Sequence, residues 1–311
     1  MSEDLTAWRR FFAEEIQAVV GIKTAALVEA LATVPRERFL RKGPWLVLGV
    51  GDLGGAPRMT PDADPRHVYH NLSIAIDAER MLFNGAPGVV VTCLEALGLR
   101  PGDRLLHVGC GLGYYTALAA LCVGPSGRVL SIEVDERLAA EAAANLKAFE
   151  QVEVRPGDGT DLRDESFDAI LVNAGVTHPH EAWLGALAAK GRMVLPLTFT
   201  TPQPPATAGT GPARTGPPAG TGSLTGSGPT IGKGPILLFT ADGEAGSLAA
   251  RVVTMVAIYS AVGIRDAAMN DQLAKAFMKG AWPAIRRLRR DPHEAAPSCC
   301  LHCDTFCLSA S

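Results

Sequence analysis

Three glycines spaced two apart, Gly109, Gly111 and Gly113, lie between an apolar run and a helix-forming segment, and they constrain the fold of this chain more than any other feature. Leu105, Leu106 and Val108 predict a buried strand, and Tyr115 to Val123 predict a helix. After a turn at Gly124-Pro125-Ser126-Gly127, Arg128 to Val134 predict a second strand that ends on acid. Glycines at such a turn let backbone approach a ligand, and an acid ending the next strand accepts ribose hydroxyls. Glu133 follows Gly109 by 24 residues, near the roughly 20 expected for an acid meeting a ribose. Dinucleotide sites place their third glycine one residue later, over a pyrophosphate. The spacing here is the form commoner among enzymes that use S-adenosylmethionine, and both cofactors are compatible with the turn itself.

The α/β alternation continues downstream. Glu136 to Phe149 reads as a helix, Val152-Glu153-Val154 as a short strand, and Phe167 to Val172 as a nearly continuous apolar strand of the kind buried in parallel sheets. A helix at 181–189 and a strand from Arg192 to Leu197 follow. The rhythm predicts an α/β fold, a Rossmann-like, doubly wound, mostly parallel sheet. Upstream, helical periodicity runs over 7–33 until Pro35, a strand is expected at Trp45–Val50, and a helix from Gly88 to Leu97 closes at Gly98. Residues 200–234, almost wholly Thr, Pro, Gly, Ala and Ser, predict a disordered insertion in a hairpin loop. The strands flanking that loop end at Leu197 and resume at Ile236–Phe239, with another at Val252–Ile258. Residues 266–290 predict one or two helices joined at Pro283. The organisation expected is a domain over 1–262 and a helical extension over 263–311.

A net charge of −3 gives no reason to expect nucleic acid, and the run from Arg286 to Arg290 reads as a solvated helix face. No apolar stretch of about 18 residues predicts a membrane span. With no basic-then-apolar leader at the N-terminus, a cytoplasmic location is expected. Cys299, Cys300, Cys303 and Cys307 crowd the end of the chain with His302. One short segment rarely encloses a tetrahedral ion, so the expectation is a mobile tail and no metal.

Several separate segments resemble the protein-L-isoaspartate O-methyltransferase family. They include Leu27-Val28-Glu29-Ala30-Leu31 with Val34-Pro35-Arg36-Glu37-Arg38-Phe39, and Leu99-Arg100-Pro101-Gly102-Asp103-Arg104 ahead of the glycine turn. Gly113-Tyr114, Ser131-Ile132-Glu133, Gly157-Asp158-Gly159, Phe167-Asp168-Ala169-Ile170 and Gly191-Arg192-Met193-Val194-Leu195-Pro196 continue the likeness. It spans about residues 25–197 and, loosely, 235–260. The resemblance implies a class I methyltransferase with S-adenosylmethionine as cofactor. His107, Gly109, Cys110, Gly111, Gly113, Glu133, Asp158 and Gly159 would then be the cofactor-binding residues. Glu133 would hold the ribose hydroxyls, and Asp158 would accept from the adenine amino group. Such chemistry needs alignment and exclusion of water rather than a metal.

Two segments depart from the family. Its Thr-x-Ser-x-Pro substrate segment reads Phe83-Asn84-Gly85-Ala86-Pro87, and the acid two before the first glycine is His107. The acceptor implied is a carboxylate of a protein or peptide. The alternatives are a small molecule or modified peptide, or a catalytically silent S-adenosylmethionine-binding scaffold. Asn84, Asn173 and His178 are the catalytic candidates, and Tyr69, His70 and Asn71 are candidates for shaping the substrate site.

Overall fold

The computed structural model describes residues 4–49, 56–201, 230–244 and 246–311. The apolar periodicity at the start of the chain divides into two helices, α1 (Thr6–Val20) and α2 (Ala25–Thr33). Gly21 ends α1 with a left-handed φ of 73°, a conformation that costs glycine little. Phe12 and Ile16 of α1 share a core with Leu27 and Leu31 of α2. Pro35 then stops the second helix, and the turn after it carries Arg36 inward.

Arg36 is fully buried. Its guanidinium donates to the carbonyls of Val68 (2.7 Å), His70 (2.9 Å) and Leu72 (2.7 Å). It also lies 5.7 Å from the ring centre of Phe12 and 5.6 Å from that of Tyr114. One planar cation therefore satisfies three carbonyls of a bent segment and bridges two aromatic faces from different elements.

The bent segment leads into a small antiparallel sheet of order β2-β1-β3-β4. Its strands are β1 (Leu46–Gly49), β2 (Arg58–Met59), β3 (Leu72–Asp77) and β4 (Leu82–Phe83). Next comes α3 (Pro87–Leu97), with proline in its first turn and Gly98 at φ 56° closing it. The main unit follows as β5 (Arg104–Val108), α4 (Tyr114–Val123), β6 (Arg128–Glu133), α5 (Glu136–Asn145), β7 (Val152–Pro156), β8 (Phe167–Val172), α6 (Glu181–Ala186) and β9 (Leu187–Pro196). These strands are parallel, in the order β9-β8-β5-β6-β7. The chain winds outward from β5 through β6 to β7 and returns on the other side at β8. A crevice opens at the carboxyl ends of strands where the winding reverses in this way.

β10 (Ile231–Thr240) and β11 (Ser247–Tyr259) add an antiparallel hairpin beside β9. Part of the segment expected to be disordered is strand. Residues 231–234 are strand, and 202–229 lie outside the described residues. The glycines there are required by packing rather than by looseness. A Cβ on Gly234 would lie 2.1 Å from the Leu197 carbonyl oxygen, and one on Gly232 would lie 2.6 Å from Thr198 Oγ1.

The end of the chain also departs from expectation. Only α7 (Ala267–Met278) is a regular helix there. β12 (Arg287–Arg289), β13 (Cys299–His302) and β14 (Cys307–Ser309) extend the large sheet to ten strands beyond β11, in the order β11-β12-β14-β13. The basic run is therefore strand. Leu288 points into the core, Arg287 pairs with Asp242 and Glu244, and Arg290 pairs with Glu181. The cysteine-rich tail is folded, with Leu301, Phe306 and Leu308 buried.

Replacing Arg36 with Met keeps apolar volume but strands three carbonyls. Urea unfolding of R36M is expected to show a loss on the order of 3 kcal/mol or more, and R36K a smaller one. A midpoint unchanged in R36M would show that the guanidinium does not hold this segment.

Candidate active site

Val108 ends β5, and the chain turns through Gly109, Gly111 and Gly113 at φ values of 79°, 56° and 92°. All three are left-handed, where a side chain would be strained. The turn also has little room. A Cβ on Gly113 would lie 2.7 Å from Leu146 Cδ1, and one on Gly111 would lie 3.1 Å from Ile76 Cδ1. Hydrogen bonds fix it to the neighbouring strand: Gly109 N–H donates to the Ile132 carbonyl (2.8 Å), and Gly111 N–H donates to Glu133 Oε2 (2.8 Å).

Glu133 ends β6 and is buried. Burial pushes its carboxyl upward, and the N–H donors of Gly111 and Asp135 oppose that shift. At the end of β7, Asp158 Oδ1 accepts from the N–H (2.9 Å) and the hydroxyl (2.8 Å) of Thr160. Gly159 beside it packs tightly, since a Cβ there would fall 2.4 Å from Val108 Cγ1. Gly109, Cys110, Gly111, Glu133, Asp158 and Gly159 all border one cavity of about 870 Å³. Gly113 stands behind the turn, against Leu146 and Ala142. Cys110 is buried and its thiol is pushed strongly up by desolvation, so it contributes a small neutral side chain to the wall.

The remaining candidates separate clearly. Asn84 and Asn173 reach the cavity wall. The Asn84 amide oxygen accepts from Ile74 N–H (3.0 Å), and Tyr115 donates its hydroxyl to the Gly85 carbonyl (2.8 Å), so the departed substrate segment is held rigidly. His178 does not reach the cavity. Its Nδ1 lies 3.0 Å from Thr177 Oγ1, and burial pushes its pKa down. Tyr69 and Asn71 are also committed elsewhere, to Glu37 and to Gly88 N–H, and with His70 they lie away from the cavity lining.

His107 requires a correction as a cofactor contact. Side chains alternate along β5, so His107 faces α4 rather than the cavity. It is fully buried, with Nδ1 2.9 Å from Thr116 Oγ1, and Thr116 in turn lies 3.1 Å from Ser131 Oγ.

Two residues at the cavity were not anticipated. The Tyr259 hydroxyl accepts from Phe83 N–H (3.3 Å) and donates to the Met81 carbonyl (2.6 Å), tying the end of β11 to β4. Ser260 follows it, with its Oγ shielded from solvent and without a hydrogen-bond partner. Both border the cavity. Nothing in the local sequence marks them, because the sheet brings them in from the far side of the long insertion.

The family model for protein-L-isoaspartate (D-aspartate) O-methyltransferase matches residues 58–207. A Methanopyrus kandleri protein-L-isoaspartate O-methyltransferase is 31% identical over 205 residues, covering 63% of this chain and 81% of its own length. The chain belongs to the protein-L-isoaspartate O-methyltransferase family. An Archaeoglobus fulgidus protein-L-isoaspartate O-methyltransferase 2 is 41% identical over 116 residues, 36% of this chain and 53% of that relative. The fold agrees with a Plasmodium falciparum protein assigned to the same activity and solved with S-adenosyl-L-homocysteine. That likeness has a TM-score of 0.53 at 14% identity, over 81% of this chain and 97% of the other.

S-Adenosylmethionine is the cofactor of this methyltransferase family, and the residues present fit it. The glycine turn leaves backbone bare at the cavity wall, a buried carboxylate ends β6, and Asp158 stands at the end of β7. His107 does not disturb that fit, since it lies outside the cavity lining.

Burial pushes the pKa of His107 from 6.5 down to about 4. The unfolded chain therefore binds a proton that the folded chain refuses between those two values. Stability is complete above about 6.5 and falls as pH drops toward 4. The full loss from this group is about 3 kcal/mol. Unfolding free energy measured against pH is expected to fall less steeply through this window in His107→Asn than in the parent. Equal slopes would show that the imidazole titrates normally.

Proposed function

We propose that the chain transfers the methyl group of S-adenosylmethionine to a carboxylate oxygen of a protein or peptide, at an acceptor site reshaped from that of its isoaspartate-repairing relatives. The observation that carries this reading is the shared cavity. Glu133 and Asp158 border it, and so do Phe83, Asn84, Gly85 and Ser260. When bound, S-adenosylmethionine supplies an electrophilic methyl group on a sulfonium. Glu133 is placed to accept from the ribose hydroxyls and Asp158 from the adenine amino group. A carboxylate acceptor is already ionised at neutral pH, so the protein needs to orient it and exclude water rather than remove a proton. No imidazole among the described residues borders the cavity, and this reading requires none.

Phe83 and Gly85 remove two hydroxyls from the substrate segment, and they favour a second reading in which the acceptor is a modified peptide or small molecule with an apolar flank. Ser260 borders the cavity with an unpartnered Oγ turned from solvent, and rotation of its side chain would offer that hydroxyl to a polar group of either acceptor. Among the described residues no helix is long and apolar enough to cross a membrane, and the cysteines are free thiols. We propose a cytoplasmic location, a compartment where thiols stay reduced.

Labelled methyl transfer to an isoaspartyl peptide tests the acceptor. A base-labile label marks a methyl ester. No label on any carboxylate peptide, with cofactor bound, would move the acceptor to the second reading or leave a silent scaffold. Glu133→Ala is expected to weaken S-adenosylhomocysteine binding by about 1.5–3 kcal/mol, roughly ten- to hundredfold. Unchanged affinity would mean that the ribose lies elsewhere. Ser260→Ala is expected to raise KM for the acceptor while leaving cofactor affinity unchanged; the opposite pattern would assign Ser260 to the cofactor.

A further inference from the structure

The folded tail brings together a set of side chains that the methyl-donor cavity does not use. His293 lies in the connection between β12 and β13, Cys299 opens β13, His302 closes it, and Cys307 opens β14. One nitrogen or sulfur from each lies within 4.8 Å of every other. His302 and Cys307 face each other as a cross-strand pair. We propose that these four residues form a structural zinc site.

The chemistry of each group fits a ligand role. His293 Nδ1 lies 2.8 Å from the Asp291 carbonyl. A carbonyl only accepts, so Nδ1 carries the proton and Nε2 presents its lone pair. That Nε2 is 3.8 Å from Cys299 Sγ. A carbonyl behind the imidazole is the usual outer partner that fixes tautomer and ring direction in metal-bound histidines. His302 Nδ1 is shielded from solvent with no hydrogen-bond partner. The two imidazole rings lie 4.8 Å apart, inclined at 73°. Cys299 Sγ accepts from Ala296 N–H at 3.3 Å, a contact that suits a thiolate.

The distances fit as well. Tetrahedral zinc with sulfur at about 2.3 Å and nitrogen at about 2.0–2.1 Å separates its ligand atoms by roughly 3.3–3.8 Å. The largest separation here is 4.8 Å, so an ion needs to draw the ligands in by side-chain rotation only. Two thiolates neutralise the dication, which suits a partly buried place. The two other cysteines of the tail aim elsewhere: Cys303 donates to Gln272 Oε1 at 2.9 Å, and Cys300 Sγ lies 4.0 Å from the Ser298 carbonyl.

The sequence expectation of no metal rested on the compactness of the Cys299–Cys307 segment. The fold changes that premise by bringing in His293 and turning Cys300 and Cys303 away. Four protein ligands leave no open position, which is the composition of a structural rather than a catalytic zinc site. The need for one is visible in the strands. β12, β13 and β14 are 3, 4 and 3 residues long, at the short limit for strands that hold by their ladder alone. A zinc ion would tie β13, β14 and the preceding connection at one point, and so fasten the sheet edge over α7.

The test is metal content of the full chain purified under reducing conditions from zinc-supplemented medium. One zinc per chain is expected. Cobalt exchanged for zinc is expected to give the intense visible bands of a tetrahedral ion and a thiolate charge-transfer band. His293→Ala and Cys299→Ser are each expected to lower zinc affinity by more than about tenfold; in the cobalt form Cys299→Ser is expected to lose about half of the thiolate charge-transfer intensity, and His293→Ala to shift the visible bands. Cys300→Ser is expected to keep both zinc and spectrum. Parent protein without zinc under these conditions would overturn the proposal. So would a Cys299–Cys307 disulfide found by peptide mass spectrometry in that reduced preparation, or full zinc and unchanged cobalt bands in His293→Ala and Cys299→Ser.

Discussion

The bond from Gly111 N–H to the Glu133 carboxylate joins the two halves of the nucleotide-binding unit. It requires backbone at φ 56°, a turn without side chains, and a carboxylate brought into a buried position by the neighbouring parallel strand. Each requirement comes from a different part of the fold. The parallel pairing of β5 and β6 sets the register, and Leu146 and Ile76 leave little space for larger residues at Gly113 and Gly111. Because Glu133 is fixed by backbone donors before any ligand arrives, its carboxylate needs little reorganisation to receive hydroxyls.

The part of the cavity wall that carries Phe83 is assembled at longer range. Arg36 holds the segment that leads into β3, β3 and β4 carry Phe83 to the cavity, and Tyr259 clamps that hairpin to the end of β11. Asp77 at the end of β3 strengthens the join by pairing with Arg80 and with Arg137 of α5. Burial alone would raise the Asp77 carboxyl, but the two guanidinium partners outweigh it and hold the pKa at about 2. The acceptor wall is thus rigid at its base while its chemistry is changed by Phe83 and Gly85. On the proposed function, such a site would keep its cofactor while its acceptor differs.

The parallel core was legible because its signals are local. Apolar runs, glycines at turns and an acid at a strand end all act within a few residues. The features that escaped depend on what lies opposite. Gly232 and Gly234 look like low complexity until Thr198 and Leu197 are seen packed against them. Arg287 to Arg289 have helical neighbours in sequence, yet pairing with β11 and β14 makes them strand, with the charges neutralised by Asp242, Glu244 and Asp291. His107 sits at the family's acidic position, but the alternation of β5 turns it under α4, where it meets Thr116 rather than ligand. Ser260 and His293 owe their positions wholly to the sheet.

The central claim is that the cavity formed by the glycine turn, Glu133 and Asp158 holds S-adenosylmethionine. Calorimetric titration of the purified chain with S-adenosylmethionine and with S-adenosylhomocysteine measures this without reference to any acceptor. Saturable binding of both, with one ligand per chain, is the predicted result. Absence of binding by either at millimolar concentration would contradict the account at its foundation.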